Sequence, residues 1–350
     1  MKKQFFAKMS MAAAAVVGAL HGNAMAEVSV FGILDGGYAN VKAPGGSSGT
    51  GFVSGGMTTS AFGIKGNDDL GGGLKADFAV SSFIEIGSGS VLSGIGPSSP
   101  NLFTREAWVG LGSELGHVSL GRDVNPAFIP VIAFNAYGDS TVYSPLWNAT
   151  FFNTKTGTDG LNSAAKGLYS DTAWDGQVRY TSPNIGGAVF DVNYAIGTDG
   201  KKNVGGNVMY FNGPLGLTAF YMDTKSYPIG SLETNIFGAG SAKTYFVGAS
   251  YDFGVAKAFA TYQDGKQSAT GLKSKTWHLS STIPAGPGKV LLAYAHSKTS
   301  DGDDTTYKQA AIGYDYPLSK KMDLYANYLS ASETGLSKGH VIGAGVRYAF

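Results

Sequence analysis

Apolar residues fall on every second position in one segment of this chain after another. Ala188, Phe190, Val192, Tyr194 and Ile196 alternate with Val189, Asp191, Asn193 and Ala195. Val204, Val208 and Tyr210 alternate with Asn203, Asn207 and Met209, and Tyr245, Val247, Ala249, Tyr251 and Phe253 with Thr244, Gly248, Ser250 and Asp252. Trp277, Leu279 and Ile283 stand against Thr276, His278, Ser280 and Thr282. Ala310, Ile312, Tyr314 and Tyr316 stand against Gln309, Ala311, Gly313 and Asp315. Alternate side chains of an extended strand point to opposite faces, so each segment predicts a strand with one apolar face. The final stretch does the same. Ile342, Ala344, Val346, Tyr348 and Phe350 form an apolar row ending in two aromatics, and Val341, Gly343, Gly345, Arg347 and Ala349 form the other face.

The connections between these segments differ in length. Asn67–Gly72, Gly112–Gly116, Ser182–Gly186, Asn212–Gly216, Asp252–Gly254, Pro284–Pro287 and Tyr316–Lys320 are short and rich in Gly, Pro, Asn and Asp, the residues of tight turns. Between them lie longer polar stretches at Lys42–Gly56, Gly87–Asn101, Lys225–Ala242 and Ser300–Thr305. About sixteen strands with short turns at one end and long loops at the other predict an all-β fold, a transmembrane antiparallel up-and-down barrel. A soluble sandwich has no reason to sort its loops this way. One connection stands apart, from Asp123 to Thr172. It shows no strand pattern yet carries Phe128, Phe134, Tyr137, Tyr143, Trp147, Phe151, Phe152 and Tyr169. So apolar a loop must pack on something, and the barrel lumen is the nearest surface. Missed strands or a short helix inside it are the alternative.

Composition agrees with a membrane setting. Charged residues are 15% of the chain, against roughly 25% in soluble domains, and the 52 glycines are about twice the usual share. No stretch of 18 apolar residues is present to form a spanning helix. Residues 1–26 read as a secretory signal peptide: Lys2, Lys3 and Lys8, an apolar run from Met9 to Leu20, and Ala24-Met25-Ala26 before Glu27. Residues 27–350 are then the barrel, with 23 basic and 25 acidic residues, a balance that argues against a nucleic-acid partner. The chain has no cysteine, so disulfides play no part.

Three passages resemble a known family. Ser60-Ala61-Phe62-Gly63-Ile64-Lys65-Gly66-Asn67-Asp68-Asp69-Leu70-Gly71-Gly72-Gly73-Leu74-Lys75-Ala76 is similar to the second hairpin of the trimeric general porins of Gram-negative bacteria, in their beta-proteobacterial branch. Arg105–Leu111 with Gly116–Arg122 resembles the strand pair leading into that family's constriction loop, and Val178–Asn184 resembles the strand after it. The resemblance implies a sixteen-stranded outer-membrane barrel, a homotrimer, and a third loop (123–172) folded inward to narrow each pore. Small hydrophilic solutes and ions would diffuse through it. Outer-membrane lipid and lipopolysaccharide would surround it, and barrel-insertion machinery would read Ile342, Val346, Tyr348 and Phe350. Lys65 and Arg105 match the family's inward basic residues, and Arg122 and Arg179 fall beside the ends of the loop that carries Asp123 and Asp139. Ala61 departs from the family, which commonly has arginine there, so any anion preference should be weak. A glycine-rich first strand, Gly32, Gly36 and Gly37, would permit close packing of neighbouring barrels.

The residues support the same neck independently. The chain has four arginines, Arg105, Arg122, Arg179 and Arg347, and three flank the long loop. A charge facing lipid costs about 2–4 kcal/mol at mid-bilayer, so these should face the lumen. By alternation Lys65 lies opposite Phe62 and Ile64. If Arg105 points inward, the same rule sends Trp108 and Glu106 outward, Glu106 to the rim or a subunit interface.

Enzyme chemistry finds little footing. The histidines are His21, His117, His278, His296 and His340, without His-Glu-x-x-His spacing, and no cofactor or metal site is expected. Gly45-Gly46-Ser47-Ser48-Gly49 spells a nucleophile elbow but sits in a Gly/Ser-rich stretch rather than between strand and helix. Asp68–Gly73 lacks the Gly-Lys-Ser/Thr ending of a phosphate loop, and Asp301–Asp304 lacks the spaced glutamate of a calcium loop. A substrate-selective channel, and a barrel enzyme or adhesin working through its loops, are the competing readings.

Overall fold

The computed structural model describes residues 27–91, 102–151, 171–197, 200–225, 242–268, 271–300 and 304–350. The leader, Phe152, Tyr169 and residues 301–303 lie outside them.

Sixteen antiparallel strands follow in chain order. β1 is Glu27–Lys42, β2 comes in two pieces, Ser48–Ser54 and Ala61–Gly71, β3 is Leu74–Glu85, β4 Glu106–Ser113, β5 Gly116–Val124 and β6 Ala173–Thr181. β7 is Ala188–Ile196, β8 Lys202–Asn212, β9 Leu215–Thr224, β10 Ala242–Asp252 and β11 Lys257–Gln267. β12 is Lys273–Ala285, β13 Gly288–Ser300, β14 Asp304–Pro317, β15 Met322–Glu333 and β16 Gly339–Ala349. Each pairs with the next, and β16 pairs with β1, Asp35 opposite Arg347 and Gly37 opposite Gly345, which closes the barrel. Gly32 and Phe350 finish the seam by exchanging backbone hydrogen bonds of 3.2 and 3.0 Å. A closed ladder leaves no edge to expose in lipid.

The faces are inverted relative to a water-soluble protein. Thr276, His278 and Ser280 are buried toward the lumen, while Trp277 and Leu279 between them are 42% and 52% exposed. Asn203, Asn207, Thr244, Gln263 and Gln309 are likewise buried, and Val192, Tyr245, Val247, Ile312 and Ile342 exposed. Hydrocarbon solvates such an outer surface; water does not. No helix among the described residues is long and apolar enough to cross a membrane, and the strands do the crossing.

Several boundaries differ from the sequence reading. Lys42–Gly56, expected as a long loop, contains the first piece of β2, paired with β1 through Phe52 opposite Tyr38. Gly49 and Gly51 hide it from any side-chain pattern, and backbone pairing needs none. In the stretch expected as a loop at Ser300–Thr305, the ladder runs on at both ends, with Thr299 paired to Thr305 and Ser300 to Asp304. Asn67–Gly71 continues β2 rather than turning, and the turn itself is Gly72-Gly73, both at positive φ. The three longest connections do sit at one end, between Glu85 and Glu106, Val124 and Ala173, and Thr224 and Ala242. The glycines of β1 are accounted for within one barrel. A Cβ on Gly32 would lie 2.4 Å from the Phe350 ring, and one on Gly37 2.2 Å from the Ala344 carbonyl oxygen.

Candidate pore constriction

The described part of the long connection holds two short helices, α1 (Phe128–Ala133) and α2 (Pro145–Thr150), the second started by Ser144, whose hydroxyl accepts from the Trp147 N–H at 3.2 Å. Its stem buries Phe128, Val131, Leu146, Trp147 and Phe151 against Phe220, Met222 and Phe246 of β9 and β10. Its tip buries Tyr137, Val142 and Tyr143 against Leu291, Tyr325 and Leu329 of β13 and β15, and against Met57. The described apolar residues among those flagged by the sequence are therefore the glue between loop and wall. Polar bonds fix the contact further: the Ala136 N–H donates to Ser280 Oγ at 3.0 Å, the Tyr137 hydroxyl to the Leu291 carbonyl at 3.3 Å, and Thr150 Oγ1 to Gln263 Oε1 at 2.9 Å.

Where the chain leaves β5 for the loop, its register with β6 shifts between Gly121 and Asp123, the extra residue falling on β6, so Asp123 keeps the lumenal face of Ser119. Asp123 turns inward, takes hydrogen bonds from Ser119 Oγ at 2.8 Å and its neighbour's N–H at 2.7 Å, and lies 3.4 Å from the Arg179 guanidinium. Arg179 also pairs with Asp191 at 3.0 Å. Asn193 and Asn207 donate to the carbonyls of Val124 and Pro126, both at 3.2 Å, so Arg179 and Asp123 anchor the loop's root. Arg122 lies elsewhere. It shares the face of Ala107, its register partner, and pairs with Asp171 at 2.9 Å and Asp175 at 2.6 Å while donating to the Thr104 carbonyl at 2.8 Å. This ties the far end of the loop to the strand β4 entry, apart from the other wall cations.

Across from the loop tip is the wall of β2, β3 and β4. Arg105 stands one residue before β4, outside the alternation, and its guanidinium reaches Glu106 at 2.5 Å and Ser81 Oγ at 3.3 Å. Glu106 and Trp108 face the lumen with Ser81 and Ala79, their partners in register, and Val109 and Leu111 face outward. The expectation that an inward Arg105 sends Glu106 and Trp108 to lipid is thus reversed, because Arg105 is not part of the pleat. Trp108 Nε1 donates to Glu106 Oε2 at 3.2 Å. Lys65, opposite Ala79, sits one lumenal row nearer the turns, its ammonium 5.4 Å from the centre of the Phe31 ring. No carboxylate pairs with it among the described residues.

Asp139, at the loop tip, is half-buried. Burial lifts its carboxyl to about 6, against the downward pull of its own backbone N–H, the Thr58 hydroxyl, and the charges of Arg105 and Arg347. The structure thus brings Asp139 toward Arg105, with Lys65 beside them, and leaves Arg179–Asp123 and Arg122 as loop anchors. Sequence reasoning missed Glu106, Asp191 and Asp35. An isolated acid within the apolar alternation of β1, Asp35 beside Gly36 and Gly37, was the available signal.

Residues 12–336 match the sequence profile of a family described as Gram-negative porin. The chain is 32% identical to outer membrane porin protein 32 of Delftia acidovorans over 360 residues, 97% of this chain and 95% of that protein. It is 25% identical to an outer membrane porin of Bordetella pertussis, covering 98% of this chain and 100% of the other. Among solved structures, an anion-selective porin from Comamonas acidovorans superposes with a TM-score of 0.75 at 27% identity, over 93% of this chain and 100% of that one. Sixteen closed strands, a polar lumen crossed by the third loop and an apolar outer band accompany these likenesses over nearly the whole length. The chain belongs to the Gram-negative porin family and is an outer-membrane β-barrel channel.

Proposed function

We propose that the channel passes small hydrophilic solutes and ions by passive diffusion, with a mild preference for anions. One observation carries this reading: Lys65, on the lumenal face near Arg105, is a cation with no carboxylate paired to it among the described residues. Arg105, Arg122, Arg179 and Arg347 each lie against at least one carboxylate, whereas Lys65 has an aromatic ring. A weak positive field in a wet, salt-screened neck yields weak selectivity. The anion-selective porin from Comamonas acidovorans supports the sign. Transport, with no catalysis, is its activity in this reading.

Arg105→Ala should move the zero-current potential in a salt gradient toward cations in planar bilayers. Because Arg105 is part-exposed and has one acidic partner, the stability cost should stay within about 1 kcal/mol. An unchanged reversal potential would remove Arg105 from the neck. Block of conductance by one solute at saturating concentration would favour a substrate-selective channel instead, and turnover of a substrate without conductance would favour an enzyme.

A pH effect follows from Asp139. Its carboxyl, lifted to about 6, loses its charge as pH falls from 7 to 5, while Arg105 and Arg347 stay cationic. Anion preference should therefore rise over that interval, and Asp139→Asn should show the acidic-pH selectivity already at pH 7. A reversal potential of the Asn variant that still titrates as the native one does would assign the effect to another group.

The assembly is proposed to be a homotrimer in outer-membrane lipid and lipopolysaccharide, inserted by machinery that reads the aromatic terminus, after removal of residues 1–26. One of the solved likenesses, OmpT of Vibrio cholerae, is described in a trimer form. Native electrophoresis and conductance steps in threes test the stoichiometry, and a mature amino terminus at Glu27 tests the cleavage.

A further inference from the structure

We propose that Asp35 is the positioning residue of the neck, acting through a six-residue inward fold of the second strand. The two pieces of β2 are separated by residues 55–60, which leave the wall and enter the lumen. Three of the four polar atoms of Asp35, itself fully buried, hold that fold. Its Oδ2 accepts from the N–H groups of Met57 at 2.7 Å and Thr58 at 2.8 Å. Its carbonyl accepts from the Gly55 N–H at 2.8 Å and the Ser60 hydroxyl at 3.0 Å, and its own N–H donates to Ser60 Oγ at 2.9 Å. Oδ1 takes the Tyr325 hydroxyl at 2.6 Å. Tyr325 passes so close that a Cβ on Gly56 would lie 2.1 Å from its hydroxyl oxygen. From the last strand, Arg347 donates to Thr58 Oγ1 at 2.9 Å.

The fold so held offers its carbonyls to the loop tip. Ser140 Oγ donates to the Gly56 carbonyl at 2.6 Å and Thr141 Oγ1 to that of Gly55 at 3.4 Å, from the two residues that follow Asp139. Met57 fills the space beneath, within the cluster of Tyr137, Val142 and Tyr143. The tip is seated on residues 55–60 as well as on the wall, and Asp35 sets where that seat stands. Asp139 and Thr58 meet there, so the distance across the neck to Arg105 follows from it.

This inference rests on the loop being the neck. It is tested by single-channel recording of the protein in planar bilayers, with folding followed by heat-modifiable migration. Asp35→Ala is compared with Ser140→Ala/Thr141→Val, which removes the tip's two bonds to the fold and the Tyr143 N–H bond to Ser140 Oγ, and leaves Asp35 and the seam intact. Both should remain heat-modifiable, conduct more than the native channel and show added open-channel noise. The combination should go no further than Asp35→Ala alone. Native conductance and noise in Ser140→Ala/Thr141→Val overturn the proposal even if Asp35→Ala does not fold, and so does an additive combination. A native protein that fails to conduct would defeat the pore reading itself.

Discussion

Deleting Phe350 should leave most of the chain unassembled, seen as loss of the heat-modifiable folded band. Both backbone groups of this residue are bonded to Gly32, and they close the seam between the last strand and the first. Its ring lies over the Gly32 Cα and stacks with Tyr348 at 6.4 Å, so the gap it leaves has no other occupant. Backbone groups left unpaired at the membrane face cost several kcal/mol each. The outward row of Ile342, Val346 and Tyr348 would also lose its terminal aromatic, the end that insertion machinery is proposed to read. Phe350→Tyr keeps the backbone and the ring and should assemble normally. Wild-type yield of folded barrel from the deletion would sink the argument.

Arg179→Ala should be the most damaging of the arginine substitutions. The side chains of Asp123 and Asp191, 6% and 4% exposed, would keep their hydrogen bonds but lose their shared cation. Removing one partner of so buried a group costs about 3–5 kcal/mol. The loss should appear as a lower urea midpoint in detergent, and adding Asp191→Asn should restore part of it by removing one stranded charge. The contrast with Arg105 is one of burial and of partner number, not of residue type. A cost below about 1 kcal/mol would mean that water screens this cluster as it does a surface pair.

The barrel was legible wherever an outward apolar row met an inward polar one. Trp277 and Leu279 against Thr276, His278 and Ser280 give the strand and its facing at once. Legibility failed where side chains do not record backbone pairing. Gly49 and Gly51 carry none, so Ser48–Ser54 read as loop, and with it the inward fold after it was lost. The helices, held only as an alternative within the long loop, went unplaced for the opposite reason. All six residues of Pro145–Thr150 are buried, and a helix covered on every side has no amphipathic stripe to find. Lys65 was placed by alternation alone. Arg105 was not, because it stands just outside its strand, and the parity argument applied to it inverted Glu106 and Trp108. The grouping of Asp139 with Arg105 required the fold, since nothing local in sequence says which wall a long loop will reach.

The crossing loop also has a mechanical consequence. A hollow cylinder one sheet thick resists flattening only through the stiffness of its own wall. Here the third loop is rooted at Asn193 and Asn207 on one side and seated at Ser280, Leu291 and the Gly55–Gly56 carbonyls on others, so it spans the bore like a spoke. Lateral pressure from the bilayer that would make the cross-section oval must first stretch those bonds. The segment that narrows the passage thereby keeps it round.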